Sequence, residues 1–176
     1  MQNIVVKFDN APVAVVQVPD AQWNQATGIV GAPNIDSETR ECVAVAKIRQ
    51  AGLPCAAPTH ASHDVRINFG TGLMNVDIKT LYPSWAARNG HGSITEDILD
   101  KVDAEVKKEI GQGCVCLFDL SYINRGVVQN LVGAIHNCYP NHAITLEYDY
   151  ANSQLHVIFP NKFEFHMGIN HPNWYH

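Results

Sequence analysis

Two neighbouring segments of the chain alternate between apolar and polar residues with a period of two. Such a period is typical of a β-strand that buries one face, so the stretch 63–80 predicts two strands. The positions that alternate as apolar are Val65, Ile67 and Phe69 in the first segment and Met74, Val76 and Ile78 in the second.

A tight turn at Thr71-Gly72 would join these strands and fix their register. All the apolar side chains then share one face, whereas a slip of one residue would mix the two faces. The opposite face carries two carboxylates and an amine. The predicted cross-strand pairs are Asp64 with Lys79, Arg66 with Asp77, and Asn68 with Asn75.

The remaining elements follow from the same periodicities and from capping signals. The exception is 114–120, a nearly continuous apolar run that predicts a central strand beside the strand of Asp77. The region 19–33 is left unassigned, and 82–92 is predicted to be a loop. Strands are predicted at 4–8, 13–18, 114–120, 144–150 and 154–159, and the last two are joined by a turn at 151–153. Helices are predicted at 38–50, with Asp36 or Ser37 as the N-cap, from the capping box Ser93-Ile94-Thr95-Glu96 to Gly111, and at 127–135. The charges of the second of these helices, Glu109 among them, are expected to form a solvated face.

This order predicts an α/β fold: a three-layer core with a central mixed β-sheet flanked by helices. The expected organisation is a single domain over 1–176. It comprises an N-terminal β-hairpin extension at 1–35, a core at 36–150, and a C-terminal strand and tail at 151–176.

The predicted helix 38–50 carries an acidic residue on its apolar stripe. Glu41 lies four and seven residues before Val45 and Ile48, so it points where apolar side chains point. Burying a carboxylate is costly unless it has a partner, and a metal ion would be one.

Composition excludes some classes of protein. Of the 176 residues, 46% are hydrophobic, which is typical of a globular domain. The net charge of −5 is not typical of a protein that coats nucleic acid non-specifically. Five cysteines form no dense disulfide framework, so we expect a reducing, cytoplasmic compartment. The sequence predicts no signal peptide, and it contains no apolar run long enough to predict a membrane-spanning helix.

A helical glutamate, a strand aspartate and an Asp-x-Lys on the next strand together resemble the PD-(D/E)XK nuclease superfamily. The matching residues are Glu41, Asp64, Asp77 and Lys79. The amino-acid sequence over roughly 36–150 also resembles the nuclease toxin domains of bacterial contact-dependent growth inhibition proteins and other polymorphic toxins. The shared features are a helix ending in Ala-Gly, an Asp-led strand, a Gly turn and Asp-Ile-Lys-Thr.

The resemblance implies a divalent-metal-dependent nuclease that hydrolyses tRNA or DNA with Mg²⁺ or Mn²⁺. A toxin of this kind would have a cognate immunity protein and would act in the cytoplasm of the target cell. Asp64 and Asp77 would hold the metal with the carbonyl of Ile78, and Glu41 would complete the site. Lys79 would orient the attacking water or stabilise developing charge. Thr80 would contact phosphate, and Arg66 would pair with Asp77 or contact phosphate.

Other interpretations remain open from the sequence. The polar face of the hairpin could be a ladder of ion pairs, and an acidic chain could be a non-catalytic binding or immunity-type partner protein. A metal-independent RNase could use His142 or His156 as its base. His166, His171 and His176 could bind zinc, and Tyr82, Trp174 and Tyr175 could stack on bases.

Overall fold

The computed structural model describes residues 1–60, 63–149, 154–160, 164–168 and 173–174. Within them the chain is an α/β protein with a mixed sheet of seven strands, a smaller sheet of three strands and five helices. The strands are β1 (Gln2–Phe8), β2 (Ala11–Val18), β3 (Cys55–Ala56), β4 (Val65–Asn68), β5 (Leu73–Thr80), β6 (Val115–Asp119), β7 (Ala143–Asp149), β8 (Gln154–Ile158), β9 (Glu164–Gly168) and β10 (Asn173–Trp174). The helices are α1 (Asp20–Val30), α2 (Asp36–Gln50), α3 (Trp85–Arg88), α4 (Ile94–Glu109) and α5 (Arg125–Cys138).

The large sheet runs in the order β3-β4-β5-β6-β7-β8-β9. Its centre is parallel, because β6 pairs in parallel with both β5 and β7, and its flanks are antiparallel. Every residue of β6 is buried, as expected for a central strand covered on both faces. The prediction that this strand lies beside the strand of Asp77 is confirmed, with Asp77 opposite Cys116.

Helices cover both faces of the large sheet. Val115 and Leu117 of β6 belong to an apolar cluster with α2, whereas Cys116 and Phe118 belong to a second cluster with α4 and α5. This division follows from the alternation of side chains along a strand. Helix α2 also contacts β1 and β2. Its residues 42–48 are all buried, because it lies between the large sheet and the N-terminal hairpin.

The predicted strands and helices are recovered with small changes at their ends. The N-terminal hairpin turns at Asp9 and Asn10, whose φ angles of 52° and 62° match a two-residue hairpin turn. Ser93 Oγ caps α4 by accepting a hydrogen bond from the Glu96 amide at 3.3 Å. Helix α2 begins at Asp36 without a side-chain cap, so the predicted cap at Asp36 or Ser37 is wrong. The predicted turn at 151–153 lies outside the described residues.

Two helices were not predicted. Helix α1 lies in the region left unassigned, and only one of its residues, Ala26, is buried. It packs on α2, where Arg49 Nε donates to Gln25 Oε1 at 3.0 Å. Tertiary packing and not an amphipathic pattern stabilises it. Helix α3, four residues long, interrupts the predicted loop 82–92.

The predicted register of the β4–β5 hairpin is wrong by two residues. Arg66 lies opposite Asn75 and not Asp77, and Asn68 lies opposite Leu73. The turn is longer than predicted because Asn68 Oδ1 accepts hydrogen bonds from the amides of Gly70 and Gly72, at 2.7 and 3.2 Å. A shift of two preserves the alternation, so the apolar face survives while every polar pair changes.

Within the described part of the chain, no helix combines the length and apolarity needed to cross a membrane.

Candidate metal centre

The candidate metal centre lies where the pairing between β4 and β5 stops, beside the first residue of β4, while β5 continues. The last backbone hydrogen bond between them runs from the Asp64 amide to the Val76 carbonyl at 3.2 Å. Among the described residues no strand pairs with that side of β5 beyond Val76, while its other side stays paired with β6 as far as Thr80. Half of one edge of β5 is therefore accessible to side chains from both helical layers.

The side chain of Asp64 provides a hydrogen-bond acceptor for β5 at this edge, where no strand does so among the described residues. Its Oδ2 accepts a hydrogen bond from the Ile78 amide at 2.7 Å. This bond fixes the carboxylate beside Asp77 and leaves its other oxygen for a further partner. The side chain of Ile78 is buried on the α2 face.

A cleft of about 410 Å³ opens at this edge, and acidic residues dominate its lining. Glu41 reaches it from α2, and Glu105 and Glu109 reach it from α4. The complete lining is Glu41, Asp64, Asp77, Ile78, Lys79, Glu105, Lys108, Glu109 and Gln112. We call it the carboxylate cleft.

Two residues of the carboxylate cleft, Asp77 and Glu109, also belong to a buried group of three side chains. One ligand atom each from Asp77, Glu109 and Cys114 lies within 4.8 Å of the others. The Cys114 thiol donates to Glu109 Oε2 at 3.4 Å and lies 4.0 Å from Asp77 Oδ2. Asp77 and Glu109 are only 7% and 4% exposed. The nearest cation to Glu109 among the described salt bridges is Lys108, whose Nζ is 3.8 Å from Oε1.

This crowding of carboxylates raises their pKa values. Burial, a hydrogen bond with Glu109 and the charge of Asp64 raise the pKa of Asp77 to about 8. Burial and the neighbouring Asp64 and Glu38 raise the pKa of Glu41 to about 7, against the attraction of Arg40 and Lys79. Burial also raises the pKa of Asp64, although its bond from Ile78 opposes the change. Without a metal ion, the cleft therefore retains protons near neutral pH.

The residues present fit a divalent cation. Several carboxylate oxygens converge where charge is poorly compensated, which is the donor chemistry that Mg²⁺ and Mn²⁺ prefer. Burial raises the pKa of the Cys114 thiol to about 12, so this sulfur is protonated and is a poor ligand for a hard ion.

The structure brings five of the sequence-predicted site residues into one cleft: Glu41, Asp64, Asp77, Ile78 and Lys79. Thr80 lies outside it, buried and on the α2 face of β5, with no hydrogen-bond partner for its hydroxyl among the described residues. Arg66 also lies outside it, and its Nε donates to the Ala57 carbonyl at 2.8 Å. The predicted Arg66–Asp77 and Asp64–Lys79 pairs are wrong, because the two-residue shift separates them.

Sequence reasoning missed Glu109 and Cys114. The charges of α4 were expected to form a solvated face, but Glu109 is buried. The signal was present: Glu109 lies three and seven residues after Val106 and Val102, on the same apolar stripe. Cys114 and Cys116 are both free cysteines.

The two histidines considered as the base of an RNase, His142 and His156, lie elsewhere. His156 is on β8, where its Nδ1 is 3.2 Å from Glu147 Oε1. His142 precedes β7, and neither lines the carboxylate cleft. Of the tail residues, His171, Tyr175 and His176 lie outside the described residues.

Comparison of the chain with protein-family models, with curated proteins and with solved structures finds no match. The resemblance to the PD-(D/E)XK superfamily therefore remains a hypothesis.

Proposed function

We propose that this protein is a divalent-metal-dependent nuclease whose active site is the carboxylate cleft. The observation that carries the proposal is the convergence of Glu41, Asp64 and Asp77 with Lys79 at the open edge of β5. Carboxylates buried this closely repel one another, and a cation would offset that cost. The arrangement also matches the element order of the PD-(D/E)XK core, which we propose as the fold family.

Each residue has a distinct role in the proposed reaction. Asp77 and Glu109 would bind the metal from the floor of the cleft, and Asp64 would use the oxygen that does not accept from Ile78. Glu41 would act directly or through water. Bound Mg²⁺ or Mn²⁺ would supply polarisation of the phosphoryl group and a more acidic attacking water. Lys79, which is exposed at the rim, would orient that water or stabilise charge on the phosphate.

The further proposals from the resemblance concern biology. A toxin domain of a contact-dependent inhibition system would meet tRNA or DNA in a target cell and would be neutralised by an immunity protein. Because the net charge is −5, the whole chain does not attract nucleic acid, so local surfaces would determine whether it binds DNA or tRNA.

Cleavage in the presence and absence of metal tests the proposed function. We expect the purified chain to cleave plasmid DNA or total tRNA with Mg²⁺ or Mn²⁺, and to stop when EDTA is added. Cleavage that persists in EDTA would indicate a histidine-type RNase instead. Failure to cleave either substrate with either metal would favour a binding protein.

A further inference from the structure

Two further clefts follow the carboxylate cleft in a row, and together the three form a groove. Lys79 lines both the carboxylate cleft and a neighbour of about 280 Å³, which we call the basic cleft. Tyr82, Pro83 and Trp85 line both the basic cleft and a third cleft of about 490 Å³, which we call the aromatic cleft. Because the basic cleft shares lining residues with each of the other two, one extended ligand could occupy all three.

The charge of the groove changes sign at Lys79. The carboxylate cleft is mainly acidic, but Arg40, Lys79 and Lys101 line the basic cleft with Asp9 as their one acidic companion. Arg88 lines the aromatic cleft, and no acidic residue is among the described side chains there. Four of the chain's twelve Lys and Arg residues therefore line these two clefts, although the net charge is −5. Lys101 is paired with Asp97 at 2.9 Å, so a polyanion would meet mainly Arg40, Lys79 and Arg88. This distribution suits a polyanion that also reaches a metal.

Ring contacts hold the two arginines against the wall of the groove. The Arg40 guanidinium lies 4.3 Å from the Phe8 ring centre, Phe8 stacks on Tyr82 at 4.7 Å, and the Arg88 guanidinium lies 4.8 Å from the Tyr82 ring centre. Arg40 donates one bond to the Lys7 carbonyl. Among the described residues neither arginine is in a salt bridge, so N–H groups remain for phosphate oxygens.

Trp85 is a large aromatic surface in the same groove. It is 63% exposed and stacks at 16° to the ring of His91. Its short helix is anchored at Ser84, whose amide donates to Asp97 Oδ2 at 3.0 Å and whose Oγ accepts from the Ala87 amide at 3.3 Å. An anchored, exposed indole beside cations is the arrangement on which unpaired bases stack.

We propose that the groove binds a single-stranded nucleic acid, with phosphates on Arg40, Lys79 and Arg88 and an unpaired base on Trp85. The inference rests on the proposed nuclease function and names its substrate class: an unpaired strand, loop or end. Bases inside a duplex are covered by their stacked neighbours, so a duplex cannot place a base on Trp85 without opening.

Binding measured without cleavage tests this proposal. Fluorescence anisotropy of the full chain in EDTA would compare labelled oligothymidylate and oligouridylate of roughly 12 nucleotides with a duplex of equal length. We expect at least one single strand to bind more tightly than the duplex. Trp85→Ala should weaken that binding roughly 5- to 100-fold, and Trp85→Phe should restore most of it.

Ile35→Ala is the matched control, because Ile35 is 61% exposed and lines none of the three clefts. It should bind like the wild type. The proposal is overturned if the duplex binds as well as both single strands, if nothing binds, or if Trp85→Ala has no more effect than Ile35→Ala. Binding that depends on Trp85 without any metal-dependent cleavage would remove the nuclease and keep the binding site.

Discussion

Asp77→Ala is expected to reduce metal-dependent cleavage by about a thousandfold or more, because a metal site contributes several kcal/mol to stabilising the transition state. Asp77 belongs to the buried group with Glu109 and Cys114 and lines the carboxylate cleft. Replacing it removes a carboxylate and opens no large apolar cavity, so the fold should be retained. Initial cleavage rates and circular dichroism would be measured on the same preparation.

Asp100→Ala provides the control for this substitution. Asp100 is an exposed acidic residue of α4 and does not line the carboxylate cleft. Its loss should leave cleavage within about twofold of wild type, since exposed substitutions away from a site have small effects. Equal activities of the Asp77→Ala, Asp100→Ala and wild-type proteins would remove Asp77 from the mechanism.

Asp77→Asn is expected to stabilise the metal-free protein at pH 8 by about 1 kcal/mol, or roughly 3 °C in melting temperature. The pKa of Asp77 is raised from its ordinary 3.8 to about 8. The folded state therefore keeps a proton that the unfolded state loses between these values, and its stability falls as pH rises from about 4 to 8. The amide cannot ionise, so the gain should be smaller at pH 5.

Added metal should make the wild type melt at a higher temperature than Asp77→Asn, which reverses the order expected without metal. At a Mn²⁺ concentration of about 100 times its Kd, the wild type should gain roughly 5–10 °C, while Asp77→Asn should gain little. Differential scanning calorimetry at pH 5 and 8, with and without Mn²⁺, measures the melting temperature of each protein under all four conditions. A variant that is destabilised at pH 8, beside a wild type indifferent to metal, would contradict a metal site.

Much of the fold could be predicted from the alternation of apolar and polar residues along the sequence. This alternation placed β4 and β5 correctly, because the period of two depends on burial and survives an error of two residues in the register. The central strand β6 was predicted from its continuous apolar run instead. The turn could not be predicted as well. The side chain of Asn68 lengthens it, and no periodicity reports such a local hydrogen bond.

The candidate site was only partly accessible to sequence reasoning. Glu41 was found because a carboxylate on an apolar stripe needs a partner, and the same argument applied to Glu109 would have found it as well. Cys114 enters through tertiary packing after the turn from α4 to β6. The groove was not predictable, because Phe8, Arg40 and Tyr82 come from three distant segments that only the folded chain brings together.

Direct Mn²⁺ binding tests the central claim, that the carboxylate cleft is a metal centre. Electron paramagnetic resonance of free Mn²⁺ would be followed while the metal-free wild type and Asp77→Asn are titrated at pH 8. We expect saturable binding by the wild type, and binding weaker by at least about tenfold in the variant, which lacks one anionic ligand. Equal affinities in the two proteins, or no binding by the wild type at millimolar Mn²⁺, would contradict the claim.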